Sequence, residues 1–414
     1  MICRFQSRYT DLVDSGAITR RQAAAATLAV LTRPPGLSAM ANTRVIISRL
    51  PDKGLQPQMV SDERGAIHMV YYSGDARAGD LFYIRSTDQG AAWSAAMAVN
   101  SPGSAIAAGT IRGAQIAVGN RGRIHVTWNG SSKARLRGPV NPDSGKPGEP
   151  MLYTRLSDDG KAFEPERNLM TSSFGLDGGG SVAADRAGNV YVAWHGVGRQ
   201  DAVGESHGEA RRQVWIAVSS DEGKTFAGER KAWHEPAGAC ACCGMKVFAG
   251  REGSVTALYR SARESVHRDM YVLRSTDRGN SFKGQLLHEW EIGVCPMSSM
   301  DLVGSGNRVL AAWESDGQVY WAAVGGESNR KVEPVAAPGE GKGRKHPRLA
   351  VNKRGELLLV WTEGTGWQRG GSLAWQVYDG AGRPAGAAGK LPGVPAWSFA
   401  APIAGPDGRF TIFY

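Results

Sequence analysis

Short apolar runs alternate with polar, glycine-containing turns along most of the chain. A strand, a turn with Gly and a second strand that ends in an aromatic residue recur seven times. The closing aromatics are 48 to 66 residues apart and comprise Tyr71, Trp128, Trp194, Tyr259, Trp313, Trp361 and Tyr414. This period matches one four-stranded antiparallel sheet and leaves little room for helices. The pattern therefore predicts an all-β chain built from repeated small sheets.

A second motif, Ser-x-Asp-x-Gly-x-x-aromatic, lies between these hairpins. It occurs at Ser86–Trp93, Ser219–Phe226 and Ser275–Phe282, and a copy without the leading Ser ends at Phe163. Gly supplies a backbone conformation that other residues avoid, and the Asp carboxylate can accept N–H bonds across a tight turn. The motif resembles the Asp box, or BNR repeat, of sialidases and related β-propellers. The resemblance implies structural roles for four aspartates: Asp88, Asp158, Asp221 and Asp277.

Together the two repeats predict a β-propeller of four-stranded antiparallel blades. Seven inner hairpins favour seven blades, and six blades, as in sialidases, are the alternative. The segment from Arg44 to Leu50 looks like an extra strand that could close the ring against the last blade. Closure would remove free sheet edges. Residues 42–414 are thus expected to form a single propeller domain.

Residues 1–41 differ from the rest of the chain. Arg20 and Arg21 precede a short apolar run, and a small-residue end follows at Ala39-Met40-Ala41. This order is typical of an export signal, and the paired arginines resemble the twin-arginine (Tat) type. We expect a cleaved signal and a periplasmic or secreted mature protein. The apolar run is too short for a stable membrane span.

The formal net charge is +10, and about +7 remains when residues 1–41 are removed. These charges are dispersed, and no stripe of Lys or Arg is interleaved with aromatics. We therefore expect no nucleic-acid partner. We expect a monomer whose partner is a small molecule, a glycan or a metal ion.

The propeller topology places the starts of the seven first strands around the axis, on one face. The predicted ring contains Gln56, Arg112, Asp177, Cys243, Cys295, His346 and Trp397. A wet channel without chemistry would also accommodate polar residues here. Charged and sulfur-containing residues in such a ring nevertheless indicate a ligand site, with Gln56, Arg112, His346, Trp397 and the nearby Arg77 as binding candidates.

The resemblance to sialidases also implies residues that this chain lacks. The carboxylate-binding arginine of that family falls at Leu55-Gln56-Pro57, where Gln replaces it. The nucleophilic tyrosine falls at Trp397, and Trp cannot attack an anomeric carbon. A Gln cannot provide the bidentate guanidinium fork either. We therefore expect a propeller that is not an active sialidase.

Four of the five cysteines lie in two short segments, Cys240-Ala-Cys242-Cys243 and Cys295-Pro-Met297. Both are expected at the axis on adjacent blades. In an exported protein the simplest outcome is a disulfide, such as Cys243–Cys295. The alternatives are a soft-metal site for Cu(I) or zinc, with Met297 nearby, and a redox-active thiol.

The leading hypothesis is ligand or soft-metal binding at the axial face through Cys240, Cys242, Cys243, Cys295 and Met297. A glycoside hydrolase of the sialidase superfamily is the second hypothesis. Its displaced catalytic carboxylates would be Asp75, Asp177 or Glu205. A non-catalytic scaffold that binds proteins or glycans is the third.

Overall fold

Seven small sheets form a ring in the computed structural model, which describes residues 44–199, 208–325, 332–341 and 343–414. Their strands pair antiparallel except at one edge of the last sheet. The first strands of neighbouring sheets contact one another around the whole ring. The predicted seven-bladed β-propeller is therefore confirmed, and the six-bladed alternative is wrong. The described residues contain no α-helix. Short 3-10 segments occur at Pro51–Lys53, Asn120–Gly122, Gly208–Arg211 and Arg251–Gly253.

The chain enters with one strand and then builds three blades. The first strand is β1 Val45–Ser48. Blade one contains β2 Leu55–Ser61, β3 Ile67–Ser73, β4 Asp80–Ser86 and β5 Met97–Ala98. Blade two contains β6 Gln115–Val118, β7 Ile124–Asn129, β10 Met151–Arg155 and β11 Arg167–Asn168, with the small hairpin β8 Val140–Asn141 and β9 Lys146–Pro147 inserted. Blade three contains β13 Ser181–Ala184, β14 Val190–Gly198, β15 Gln213–Ser219 and β16 Arg230–Lys231, and β12 Ser173–Phe174 pairs with the end of β14.

Four further blades complete the circle. Blade four contains β17 Lys246–Ala249, β18 Val255–Arg260, β19 Met270–Ser275 and β20 Lys283–His288. Blade five contains β21 Met300–Ser305, β22 Arg308–Ser315, β23 Gln318–Ala323 and β24 Val335–Ala336. Blade six contains β25 Arg344–Val351, β26 Leu357–Glu363, β27 Gly371–Tyr378 and β28 Pro384–Val394. Blade seven contains β29 Ala401–Ala404 and β30 Phe410–Phe413, joined by β1.

The two ends of the described chain meet in blade seven. Strand β1 pairs in parallel with β30, from Val45 opposite Phe410 to Ser48 opposite Phe413. Strand β29 pairs with the other side of β30. The predicted closure by residues 44–50 is therefore confirmed. Pairing the first and last strands covers an edge that would otherwise expose unpaired backbone groups.

The closing aromatics of the inner hairpins fill the spaces between blades. Trp194 on β14 is fully buried and packs with Met151 and Ala117 of the preceding blade. Its indole N–H donates to the Ser173 hydroxyl, so the buried polar atom is satisfied. Trp128 and Trp313 are buried in the same way in their own inter-blade clusters. The aromatic period seen in the sequence is thus the period of the blade interfaces.

The repeated Ser-x-Asp turns share one hydrogen-bond pattern. Ser275 Oγ donates to Asp277 Oδ1 at 2.6 Å, and the Gly279 N–H donates to Ser275 Oγ at 2.8 Å. The turns at Ser86 and Ser219 make the same two bonds. At the fourth turn the expected aspartate was wrong. There Asp159 accepts from Ser157 at 2.6 Å, whereas Asp158 pairs with Arg123, because this turn is one residue shorter.

The predicted export signal at residues 1–41 lies outside the described residues. Among the residues that the structure describes, no helix is long and apolar enough to cross a membrane.

Candidate functional site

Several first strands begin with a backbone conformation that non-glycine residues seldom adopt. Gln56 has φ 53°, Met297 46°, His346 54° and Trp397 65°. Left-handed backbone costs about 1 kcal/mol or more for such residues, and it is tolerated where the surroundings impose it. Three of these four were predicted for the axial ring. On blade five the strained residue is Met297, two positions after the predicted Cys295.

Two of these residues, Met297 and His346, line a small pocket at the hub, of about 170 Å³, which we call the hub pocket. Its lining consists of Gly109, Thr110, Cys295, Pro296, Met297, Lys345, His346, Gly366 and Trp367. Trp397 lies behind this lining, with its ring 4.8 Å from that of Trp367 in an edge-to-face arrangement. The Gln56 amide donates to the Ala107 carbonyl, so it supports the loop of blade two beside the pocket.

His346 is buried in the pocket wall between two hydroxyl groups. Its Nε2 lies 2.9 Å from Thr110 Oγ1, and its Nδ1 lies 3.0 Å from Ser299 Oγ. Burial, with the nearby positive charges of Lys345 and Arg348, holds the pKa of His346 well below its usual range. The imidazole is therefore neutral, and both of its nitrogens are occupied by protein groups.

A second polar group lies between blades two and three. Arg112 forms an ion pair with Asp177 and also donates to the Ala108 carbonyl at 3.0 Å. Burial raises the pKa of the neighbouring Glu149 to about 7, although the Arg112 charge opposes the shift. Glu149 belongs to the inserted loop of blade two, and the sequence analysis did not select it. An ion-paired carboxylate beside a carboxyl that is half protonated near neutral pH could act as a base and an acid.

The cysteines of blades four and five form a buried sulfur cluster, defined here as Cys240, Cys242, Cys243 and Cys295. Cys242 and Cys295 are joined by a disulfide, so the predicted Cys243–Cys295 bond was wrong in its partner. Cys240 and Cys243 are free thiols. The Cys240 and Cys243 sulfurs lie 3.0 Å apart, and those of Cys240 and Cys242 lie 3.5 Å apart.

The Cys243 side chain points to the start of β21 instead of to Cys295. Its sulfur accepts from the Ser298 hydroxyl at 3.2 Å and from the Ser298 N–H at 3.4 Å. Burial alone would raise the pKa of Cys243, but hydrogen bonding to Cys240 and the Arg260 charge lower it to about 7. Burial raises the pKa of Cys240 well above its usual value. The negative charge of the pair is therefore expected on Cys243.

Arg260, at the end of β18, is the main cation beside the cluster. Its guanidinium is fully buried, and its Nε donates to Ser298 Oγ at 2.6 Å. Its other donors reach the Arg268 and Glu314 carbonyls, and the group stacks on Trp290 at 4.8 Å. No carboxylate of the described residues forms an ion pair with it. A buried guanidinium without a carboxylate favours an anionic neighbour, and its charge is one cause of the lowered pKa of Cys243.

Blade three positions the cluster from the other side. The buried His195 ring lies 2.8 Å, through Nε2, from the Cys243 carbonyl oxygen. A Cβ on Gly178 would lie 2.0 Å from the same oxygen, so only glycine permits this approach of the Asp177-Gly178 segment. Burial lowers the pKa of His195 to about 4, so the ring is neutral.

The remaining predicted site residues that the structure describes are not all at the cluster. Asp75 and Arg77 lie in the exposed β3–β4 loop, where the Asp75 carboxylate accepts from the Arg77 backbone N–H at 2.9 Å. Neither lines the hub pocket. Glu205 lies outside the described residues. Met297 packs against the sulfur cluster, as predicted for its position, and its methyl group lies close to Gly109.

Sequence analysis missed Arg260, Ser298 and Glu149. Arg260 follows directly after the closing aromatic Tyr259, a position where a charged residue reads as solvent-exposed. Its burial depends on contacts with residues 38 to 55 positions later in the chain. A weak signal was available for Ser298, which follows the second cysteine segment. For Glu149, in a glycine- and proline-rich loop, the sequence offered no signal.

Comparisons with known proteins agree with the fold. No family model and no curated protein matches the chain. A solved protein of unknown function from Dyadobacter fermentans is 14% identical, with 84% of this chain and 97% of that chain covered, at a TM-score of 0.51. The Hadza microbial sialidase Hz136 is 15% identical, with 79% and 66% covered, at 0.50. An α-L-arabinanase from Penicillium chrysogenum is 16% identical, with 80% and 95% covered, at 0.49.

At these identities the likeness shows the fold alone. The chain spans 66% of the length of the Hadza sialidase, so that protein has substantial parts with no counterpart here. This chain is therefore similar in fold to the Dyadobacter fermentans protein and to the Hadza sialidase, and its site must be judged on its own residues.

Proposed function

We propose that this propeller binds a soft metal ion, Cu(I) or zinc, through its four-cysteine cluster when the disulfide is reduced. One observation carries the proposal: the sulfurs of Cys240, Cys242 and Cys243 all lie within 4.8 Å of one another in a buried site. Cys295 adds a fourth sulfur through its bond to Cys242. Four thiolates suit tetrahedral zinc, and thiolates are also the ligands that select Cu(I).

The electrostatics of the cluster support the same proposal. Several thiolates around one ion leave a net negative charge, which a buried site must compensate. Arg260 is fully buried beside the cluster, and Arg212 and Arg268 also interact electrostatically with Cys240. Of these, Arg268 is already paired with Glu209. A neutral, purely structural disulfide would have no use for this arrangement of guanidinium groups.

The test is metal titration of reduced protein under anaerobic conditions, with a chromophoric chelator as competitor. We expect about one equivalent of metal per chain, with a sulfur-to-metal charge-transfer band for Cu(I). Cys240→Ser and Cys243→Ser should each weaken the affinity by at least about tenfold, because each removes one ligand. Asp277→Ala, in a turn remote from the cluster, is the matched control and should bind normally. Less than about 0.2 equivalents in folded, reduced protein would refute metal binding.

A second candidate, hydrolysis of a glycan, is favoured by one observation, the raised pKa of Glu149 next to the Arg112–Asp177 pair. Glu149 would be the acid and Asp177 the base or nucleophile. A panel of aryl glycosides is the test. Turnover that is lost in Glu149→Gln, while metal binding is unchanged, supports this activity. If no sialoside or neutral glycoside is turned over, this activity is rejected.

Export of the protein is part of the proposed function. The supporting features are the paired Arg20 and Arg21, the following apolar run and the Ala39-Met40-Ala41 end. Folding before transport would allow a metal to be inserted in the cytoplasm. Fusing residues 1–41 to a reporter that is active only outside the cytoplasm tests this. A reporter signal that is lost in the double variant Arg20→Lys, Arg21→Lys supports a twin-arginine route. Absence of any reporter signal outside the cytoplasm would contradict export.

A further inference from the structure

The sulfur cluster contains two thiol pairs in different redox states. Cys242 and Cys295 form the disulfide, and Cys240 and Cys243 form a reduced pair with sulfurs 3.0 Å apart. Contact between the pairs is made by Cys240 and Cys242, whose sulfurs lie 3.5 Å apart. The free pair therefore lies within reach of the disulfide, on the side of Cys242. A disulfide that served only as a staple would not need two further thiols in contact with it.

Access to the cluster is limited to one sulfur. Cys240 and Cys243 are 0% exposed and Cys242 is 4% exposed. Cys295 is half-buried and lines the hub pocket, next to Met297 and Trp367. Trp367 is 48% exposed, so this end of the pocket opens to solvent. A pocket of about 170 Å³ admits a small thiol and excludes the surface of a folded protein.

We propose that the sulfur cluster is a thiol–disulfide exchange centre for a low-molecular-weight thiol, which reaches it at Cys295 through the hub pocket. The buried Cys240/Cys243 pair then takes over the disulfide from Cys242–Cys295 by internal exchange. This activity uses the sulfurs of the proposed metal site but requires no metal.

The internal exchange balances without any outside oxidant. The Cys243 thiolate takes the proton of the Cys240 thiol, whose sulfur lies 3.0 Å away, and the Cys240 thiolate so formed attacks the Cys242 sulfur. The bond to Cys295 breaks, and Cys295 leaves as a thiolate that takes up this proton from Cys243. The Cys243 thiolate then attacks the Cys240 sulfur, and Cys242 leaves as a thiolate. The product has a Cys240–Cys243 disulfide and reduced Cys242 and Cys295. The number of disulfides is unchanged, and the reduced pair now includes the sulfur that faces the pocket.

A small dithiol that enters from solvent can reduce the Cys242–Cys295 disulfide. One of its thiolates attacks the Cys295 sulfur, the bond to Cys242 breaks, and a mixed disulfide forms at Cys295. The second thiolate of the dithiol attacks the first sulfur of the dithiol and releases Cys295. The dithiol leaves as a cyclic disulfide, and two electrons have entered the protein. In the presence of a metal ion this step would also complete the four-thiolate site.

The route through Cys295 is tested on metal-free folded protein. Cys242→Ser leaves Cys295 as a free thiol, and Cys295→Ser leaves Cys242 free. We expect a small alkylating agent to modify Cys295 in the first variant at least about tenfold faster than Cys242 in the second, because only Cys295 faces the pocket. Equal rates, or faster modification of Cys242, would overturn the pocket route. Asp277→Ala is the control for general loosening of the fold.

The internal exchange is tested separately by disulfide mapping. Wild-type protein with one disulfide is held at pH 8 without oxidant, the free thiols are alkylated, and the peptides are identified by mass spectrometry. We expect a measurable fraction with a Cys240–Cys243 bridge and alkylated Cys295. Cys243→Ser should yield no such bridge and can only accumulate Cys240–Cys242. Wild-type protein that shows only Cys242–Cys295 at all times would refute the relay.

These outcomes are independent of the metal titration. Exchange in protein that binds no metal would reject the proposed metal site and keep the exchange centre. If the reduced protein binds metal and the disulfide of the oxidised protein never moves, the metal site is kept and the exchange centre is rejected.

Discussion

The two faces of the ring differ in how their residues are arranged. The turn face carries the Ser-x-Asp turns, and the hub face carries the starts of the first strands. On the turn face, the same three-residue chemistry recurs: at Ser86, Ser219 and Ser275 a hydroxyl bridges an aspartate and a glycine N–H with distances that agree within 0.1 Å. On the hub face, the strand starts carry residues of several chemical types, and their partners come from other blades. Repetition therefore marks the part of the molecule that sustains the fold, and loss of repetition marks the part available for chemistry.

The size of the openings does not identify the site. The larger opening, of about 1880 Å³, lies at the end of the inner hairpin turns and is lined by exposed residues such as Arg121 and Arg251. Much of its acidic lining is engaged locally, as where Asp62 accepts from the N–H groups of its own turn. The hub pocket is far smaller, but it contains the sulfur, imidazole and indole groups. Donor chemistry and burial, instead of volume, favour the hub pocket as the functional site.

The largest effect should come from removing the buried cation of the hub face. Arg260→Met leaves the Arg268 and Glu314 carbonyls without their donor and removes the counter-charge of Cys243. We expect a loss of about 4 kcal/mol in the free energy of unfolding, measured by guanidinium denaturation. The exposed Arg121→Met, on the turn face, is the matched control and should change stability by less than about 0.5 kcal/mol. Equal effects of the two variants would contradict the distinction between the faces.

The disulfide should have the next largest effect. Cys242 and Cys295 are 53 residues apart, so the bond restricts a long segment of the unfolded chain. The double variant Cys242→Ala, Cys295→Ala should lose about 3 kcal/mol relative to metal-free, oxidised wild type. Thermal and denaturant unfolding give the measurement. A loss that zinc or Cu(I) restores in the double variant would show that these two sulfurs are dispensable ligands and would contradict the four-cysteine site.

Single Ser-x-Asp turns should contribute less to the free energy of unfolding, and each by the same amount. Ser219→Ala and Ser275→Ala each remove a hydroxyl that donates to one group and accepts from another. We expect each variant to lose about 1 kcal/mol of unfolding free energy and to bind metal normally. A difference larger than about 1 kcal/mol between the two variants would show that the turns are not equivalent units.

The smallest effect concerns the pH dependence of one turn. Burial would raise the pKa of Asp221, but hydrogen bonds from Thr225 and Ser219 lower it to about 2. A carboxyl whose pKa is lowered on folding stabilises the protein above its unfolded pKa of about 3.9 and loses this contribution as the pH falls through about 2. Wild type should therefore exceed Asp221→Asn in stability at pH 5, by less than about 1 kcal/mol because the turn is solvated. The difference should shrink as the pH falls through about 2 and vanish below it, and Lys224→Gln is the control for a nearby charge.

Most of the fold could be predicted from local signals. The aromatic period, the glycine turns and the spare strand at residues 44–50 favoured seven blades over six and predicted the closure of the ring. These features act within one hairpin, so their residue types are visible in sequence. The fourth turn shows the limit, because choosing between Asp158 and Asp159 depends on a turn that is one residue shorter. The topology also placed both cysteine segments near the axis, since strand starts must meet there.

The amino-acid sequence alone thus determined the class of fold and which segments approach the hub, and it favoured seven blades over six. Only the tertiary structure decided that Cys242, and not Cys243, bonds Cys295, and that Arg260 is buried beside the remaining thiols. The reason is physical: a hairpin depends on neighbours in the chain, whereas the direction of a side chain at the hub depends on contacts with other blades. Ser298 and Arg260, from two adjacent blades, hold Cys243 as a free thiol, and no local pattern encodes that meeting.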